Sequence, residues 1–414
     1  MTIKEILLFN QALRKVQFYL KPIGMQIDDR DINRSSWERL RLRWFLAANI
    51  MLLIFDVGGE IVWFVKNSSG KSFVELTNLV PCMGLIVFGV VQSLSFFRYS
   101  STVCELIASI RVLLLLSTEK QSNDNGMFLK RQMKVFRTAL NSLTIIKVIG
   151  ISGFGISPLV YTAMQYYNTG EIKLKQPFLI SYPFDTTDIR YFPIAYVALM
   201  WSAIVAVLTV LGPYYFCYAC STFIIYLFRI LKKDIEIIIP YEHRLRVYLV
   251  NEDFKEALTK IIDSHRKLIR CVELMEIIYS KTTLFNVVTS SLLICFTGFN
   301  VMVNSTLILP FLQFLLLGLV QNYFLCYYGD MIILYVSSSK IGDAVYNCQW
   351  YRADPSIVKD LFIIAVRARK PCKLTAFGFS DVNFITFTKV SEGPSLLYKT
   401  NLCLLETNSQ KMLS

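Results

Sequence analysis

Six stretches of this chain are each long and apolar enough to cross a lipid bilayer, and that bounds the fold before any motif is considered. A bilayer core takes about 20 mostly apolar residues in helical form. The stretches are Trp44–Val65, Phe73–Phe97, Ala139–Met164, Phe192–Phe228, Ile277–Val303 and Thr306–Ser338. Hydrocarbon offers the backbone no hydrogen-bond partners, so each stretch must satisfy its own as a helix. The fourth and sixth are longer than one crossing needs. At about 1.5 Å per residue they run on into water or into a protein layer. A weaker seventh span is expected over 381–405, and its start, Asp381–Val390, is only partly apolar. The expected fold is an all-α polytopic membrane protein with seven transmembrane helices.

Composition supports this reading. Of the 414 residues 54% are hydrophobic and 18% charged, against roughly 45–50% and about 25% in soluble domains. A soluble fold would expose large patches from 30 Phe and 22 Tyr. The net charge of +13 sits between the apolar runs rather than on one patch, which argues against nucleic acid as a partner. The ten cysteines lack zinc spacing, and Cys217 and Cys220 form a lone CxxC inside an apolar run, read as packing. With two histidines, His243 and His265, no catalytic triad or metal site can be assembled, so neither an enzyme nor a cofactor is expected.

Orientation follows from the basic residues. Residues 1–43 hold nine Lys and Arg, and the connections 98–138, 229–281 and 339–380 hold seven, eleven and seven. The alternate connections 66–72 and 165–190 hold two and three. The N-terminus is therefore expected in the cytoplasm, and with seven crossings the C-terminus outside, a topology inverted relative to rhodopsin-like receptors. Residues 1–43 have no apolar core for a cleavable signal, so the first span is expected to act as its own anchor. The acceptors Asn67-Ser-Ser and Asn304-Ser-Thr both fall in expected outer connections, where glycosylation is accessible.

The expected organisation is a cytoplasmic segment 1–43, a six-span bundle over 44–338 with cytoplasmic connections 98–138 and 229–276, a cytoplasmic anchor segment 339–380, a degenerate seventh span 381–405 and a tail 406–414. In 254–276 apolar residues recur at three- and four-residue steps from Phe254 to Met275, the mark of a helix with one apolar face. It runs into the fifth span without a breaker. A second helix is expected over Ile357–Arg367 behind Pro355. Such helices need something to pack on, so they should bundle into an anchor shared with other subunits.

The last 160 residues carry the strongest signature. His265 opens His-Arg-Lys-Leu-Ile-Arg, followed by Glu273-Leu-Met-Glu276, Ser290-Ser291, Cys295 and Phe299. Then come Tyr327-Tyr328-Gly329-Asp330, Ala344, Tyr346, Trp350, Arg367, Lys370-Pro371, Leu374-Thr375-Ala376, Gly378-Phe379 and Phe387-Thr388-Lys389. In order and spacing the chain resembles the insect odorant receptors over nearly its whole length. Its cysteine and aromatic content is similar to that of divergent, moth-type members.

The resemblance implies a ligand-tuning subunit that assembles with a shared co-receptor into a heterotetrameric, non-selective cation channel in the plasma membrane of olfactory dendrites. Subunit contacts would come from the cytoplasmic helices, with His265, Tyr346, Trp350 and Pro371 as anchor residues. The membrane half of the seventh segment would line the pore, making Phe387 and Val390 pore candidates. A small volatile would bind in the outer half of the bundle, among the second, third, fourth and sixth spans. An apolar volatile wants an aliphatic and aromatic pocket with few polar anchors. The candidates are Val80, Met83, Tyr161, Met164, Tyr196, Met200, Pro310, Gln313 and Phe314, with Pro310 expected to bend the sixth span.

The tail departs from that family. After Lys389 an apolar run is expected, but the chain reads Val390-Ser-Glu-Gly-Pro-Ser395. Pro394 and Gly393 cost about 3 and 1 kcal/mol inside a helix. Val390-Ser391 can be encoded by the start of an intron, so two accounts stand: a retained intron, which would impair the pore, and simple divergence, with the tail tolerated as a broken helix.

Asp56 and Glu60 share a face of the first span, and Lys147 lies in the third. The antiparallel order of spans allows Asp56 to pair with Lys147; Glu60, near the outer end, can reach water, and Asp330 is expected to tie helices together.

A gustatory-type receptor channel and a G-protein-coupled receptor are the alternatives. The gustatory Thr-Tyr and Gln-Phe signature is missing from Asn383–Lys389. The charge distribution opposes a G-protein-coupled receptor. A transporter would show matching Gly/Pro-broken spans in two halves, and none is seen.

Overall fold

The computed structural model describes residues 3–27, 36–68, 70, 79–117, 123–170, 172, 174–182, 188–239, 252–303, 308–336, 338–369 and 372–391. Its helices are α1 (Ile3–Leu20), α2 (Ser36–Asn67), α3 (Val80–Arg98), α4 (Ser100–Leu116), α5 (Asn123–Thr169), α6 (Phe192–Ile237), α7 (Glu252–Val303), α8 (Ile308–Val336), α9 (Ser338–Asn347) and α10 (Pro355–Arg369). A two-stranded antiparallel hairpin, β1 (Thr375–Ala376) and β2 (Ser380–Asp381), pairs Thr375 with Asp381 and Ala376 with Ser380. Residues 384–391 are helical.

Six helices, α2, α3, α5, α6, α7 and α8, are long and apolar enough to cross a membrane. Each contains or closely matches one of the six expected stretches. The start of the second stretch, from Phe73, falls outside the described residues, as do Asn304, Pro371, His243 and everything after 391, including Glu392, Gly393 and Pro394. The helices overrun the spans: α5, α6 and α7 have 47, 46 and 52 residues. At about 1.5 Å per residue each exceeds 60 Å, twice a bilayer core.

The fourth stretch is long for a packing reason. α6 stands at the centre and touches α1, α2, α3, α5, α7, α8 and α9. Every residue from Thr209 to Phe228 is buried, as expected of a helix that is apolar all round. Large rings fill this axis. Tyr218 stacks on Tyr328 of α8 with centroids 4.8 Å apart, and the Tyr279 hydroxyl of α7 donates to the Pro213 carbonyl at 2.6 Å. By contrast Met51, Phe55, Ile145, Val148, Ile149 and Ile156 are exposed on α2 and α5. That arrangement suits a lipid solvent.

The N-terminal segment is structured. Helix α1 lays Phe9 edge-on against Phe223 of α6 at 4.9 Å, and Tyr226 donates to the buried Glu5 carboxylate at 2.9 Å. Gly24 turns the chain at φ +86, where a side chain would meet the Leu42 carbonyl at 2.8 Å.

At the basic end, α4 and the first half of α7 are joined by Arg270 and Glu105 at 3.2 Å, and Arg229 of α6 reaches Asp124 of α5 at 3.0 Å. α10 begins at Pro355 as expected. The Asp354 carboxylate accepts from the Ser356 N–H and hydroxyl, and those bonds hold its pKa below the usual value. Of the anchor candidates, His265 is buried, whereas Tyr346 is 74% and Trp350 39% exposed.

Candidate functional site

A cavity of about 70 Å³ lies inside the bundle. Five membrane-length helices and one connection wall it. α2 contributes Asp56 and Glu60, and α3 contributes Cys82, Leu85 and Ile86. α5 gives Lys147, Gly150, Ile151 and Phe154; α6 gives Leu199, Ser202, Ala203, Ala206 and Val207; α8 gives Gln313, Phe314 and Leu317. Phe178 and Ile180 come from the connection before α6.

That connection is a fitted cover. Ser181 N–H donates to the Gly59 carbonyl at 3.1 Å, and a side chain at Gly59 would collide with Ile180. Phe178 stacks on Phe154 at 5.6 Å, and Phe314 meets Phe154 edge-on at 5.5 Å. These contacts close the apolar side of the cavity with three rings.

Small residues draw α5 into the wall. At Gly150 a Cβ would strike the Gln313 amide, and at Gly155 it would strike Met200. Close helix approach through small residues is the usual membrane solution. Gln313 uses its amide N–H on the Ile146 carbonyl at 3.1 Å, and Tyr196 donates to the Gly155 carbonyl.

Of the nine residues expected to bind ligand, Gln313 and Phe314 are on the cavity wall. Tyr196 and Met200 stand behind it, holding α6 to α5. Tyr161 and Met164 are more than half exposed, and Lys175 lies over the Tyr161 ring at 4.6 Å. Val80 and Met83 fall in the first turn of α3 beside the wall residue Cys82. Pro310 lies at the start of the described part of α8.

The charged residues are placed differently from expectation. Asp56 does not pair with Lys147. It accepts from the Ser202 hydroxyl, and from Tyr182 at 3.4 Å. Glu60 does not reach water: it is 1% exposed, because the connection before α6 folds over it. Asp330 does tie elements together, accepting the Phe384 N–H at 2.9 Å. Sequence reasoning missed Leu85, Ile86, Phe154 and the cover residues. Three charges within apolar runs were the signal that pointed to this place.

The pore candidates lie elsewhere. Phe387 packs against Tyr323 of α8 at 6.1 Å, and Val390 follows on the same short helical stretch.

The family profile described as 7tm odorant receptor matches residues 72–393. The chain belongs to the odorant receptor family. Among its relatives, odorant receptor 92a of Drosophila melanogaster is 27% identical, with 93% of each chain covered. Odorant receptor 67c of the same species is 26% identical, with 91% of each covered. The solved insect olfactory receptor OR5 from Machilis hrabei superposes with a TM-score of 0.75 at 16% identity, over 96% of this receptor and 98% of that chain. Its complex with eugenol gives 0.76. At that identity the likeness establishes the fold. The receptor is thus an all-α, multi-pass membrane protein of a chemoreceptor family, and the expected resemblance holds.

Proposed function

We propose that this odorant receptor subunit binds a small volatile in the cavity between α2, α3, α5, α6 and α8, and thereby gates a cation channel formed with a shared co-receptor subunit. The cavity carries this reading. It is largely apolar, covered by the connection before α6, and walled by helices of membrane length. Apolar pockets with a few polar groups are where small ligands are held. The Machilis receptor of the same fold has been solved with eugenol, which supports a small organic ligand here.

The distribution of basic residues supports a plasma-membrane receptor with its N-terminus, α4 and α9–α10 in the cytoplasm. There the exposed Tyr346 and Trp350 are offered to a neighbouring subunit. The stretch 384–391, with Phe387 and Val390, continues toward the pore. Asn67, at the end of α2, then lies outside the cell and accepts glycan.

The test is co-expression with the co-receptor and current recording against a panel of volatiles. Ligand-dependent current that is lost when Ala203→Phe fills the cavity supports the reading. Undiminished current in that variant refutes it. An epitope ahead of Met1 should be labelled only after permeabilisation.

A further inference from the structure

The cavity holds two charged side chains whose hydrogen-bonding groups are unused. Lys147 is 3% exposed and Glu60 1%, yet neither the Lys147 ammonium nor either Glu60 oxygen has a hydrogen-bond partner among the described residues. The other polar groups nearby have partners of their own. Asp56 accepts from Ser202 and Tyr182, and the Gln313 amide donates to Ile146. A buried ammonium brings three donors and no acceptor, and burying it without a partner is strongly unfavourable. Lys147 therefore presents an unmet demand for an oxygen acceptor inside an otherwise apolar site.

Charge decides which acceptor fits. Two carboxyl groups and one ammonium line the space. A carboxylate ligand would set its charge beside two carboxyl groups. A protonated amine would add a second cation and still give Lys147 no acceptor. A neutral carbonyl or ester oxygen supplies the acceptor and adds no charge. Size narrows the choice further: the cavity, at about 70 Å³, is under half the roughly 150 Å³ of an engineered cavity that takes benzene.

We propose that this receptor is tuned to small neutral oxygenated volatiles, with Lys147 donating to the ligand's carbonyl or ester oxygen and Leu85, Phe154 and Phe314 enclosing its alkyl part. Lys147 is the specificity-determining residue. The proposal rests on the cavity being the ligand site, and specifies which chemistry it selects. The rival is an ordered water shared by Lys147 and Glu60, which would leave selectivity unrelated to Lys147.

Four ligands of equal heavy-atom count separate these cases: 2-butanone, its shape-matched alkene 2-methyl-1-butene, propanoate and sec-butylamine. Dose–response currents are recorded for the full-length receptor with its co-receptor, alongside Lys147→Met, Glu60→Gln and Ala203→Phe, with surface labelling of each. The wild type should respond to 2-butanone at about tenfold or more lower concentration than to the alkene, the scale of one hydrogen bond to a charged group. Lys147→Met should bring the two within about threefold while the alkene response persists, which shows the variant folded. An unchanged ketone preference in Lys147→Met, a wild-type preference for propanoate or sec-butylamine, or silence toward all four overturns the proposal. If Ala203→Phe leaves every current intact, the cavity assignment fails instead. Absence of a Lys147→Met current despite surface labelling is resolved by Lys147→Gln, which keeps a donor: it must restore the ketone preference, and failure to do so counts against the proposal.

Discussion

The Asp330 carboxylate of α8 accepts the backbone N–H of Phe384, 54 residues away, at 2.9 Å. It caps the helical stretch that begins there, as an N-cap side chain would, but from a different helix. Its neighbour Gly329 makes the approach feasible: a Cβ there would lie 2.0 Å from the Val382 carbonyl. The Tyr-Tyr-Gly-Asp run is thus a joint, with Tyr328 stacked on Tyr218, Gly329 admitting the passing backbone and Asp330 holding the next helix.

Gly329→Ala forces backbone to move and should abolish surface-expressed folded receptor. Asp330→Ala should lower stability by about 1 kcal/mol, the worth of a cap, while Asp330→Asn retains an acceptor and loses less. Thermal unfolding in detergent measures both. Equal melting of Asp330→Ala and wild type would show that the cap contributes nothing.

A second joint lies opposite. Glu276 of α7 accepts from the Thr375 N–H at 2.8 Å and from its hydroxyl, and Ser280 accepts from the Phe377 N–H at 3.1 Å. The hairpin turn between β1 and β2 has φ of 53 at Phe377 and 76 at Gly378, the left-handed pair of a type I′ turn. Glu276→Ala removes a charged acceptor from two donors and should cost about 1.5–3 kcal/mol; Thr375→Val removes the hydroxyl that donates to Glu276 and accepts the Gly378 N–H, and should cost about 1–2 kcal/mol. A double-mutant cycle checks that the two changes are not additive.

The membrane-length helices were legible because hydrophobic run length is a local property. α10 and the long first half of α7 were equally legible, from Pro355 and from the three-four spacing beginning at Phe254. α1 was not read as a packed helix, since nothing in residues 1–43 announces that Phe9 and Glu5 will meet Phe223 and Tyr226. The cavity was half legible. Its charges stood out, but their partners depend on how α2, α5 and α6 are rotated. Asp56 and Lys147 line the same cavity, but the Asp56 oxygens accept from Ser202 and Tyr182 instead. The cover from Gln176 to Tyr182 is irregular backbone without periodicity, so no pattern marked Phe178 or Ile180.

Polar side chains also join α7 to α8 within the apolar layer. Asn286 donates to the Asn322 carbonyl oxygen at 3.0 Å, and Gln321 donates to Asn286 at 3.3 Å. Such bonds between membrane helices average about 0.6 kcal/mol and reach about 1.7. Asn286→Leu breaks both and strands two partners, so it should fall at the upper end. Asn322→Leu breaks one and should fall lower. The order of their melting temperatures tests this, and the reverse order would mean that packing of the substituted leucine, rather than hydrogen bonding, governs the contact.

Leu199 is 1% exposed and forms part of the α6 wall of the cavity. Leu199→Ala opens space beside a void that already exists, so the surrounding helices gain little by collapsing into it. The space should instead be used by ligand. Each methylene buried there adds about 0.8 kcal/mol, close to fourfold in affinity. Across a homologous series of ketones the wild-type optimum should move to chains longer by one to three carbons in Leu199→Ala, with the shortest ketone weakened because it no longer fills the site. Half-maximal concentrations for that series are the measurement. An optimum that stays at the same chain length would place ligand elsewhere than against Leu199.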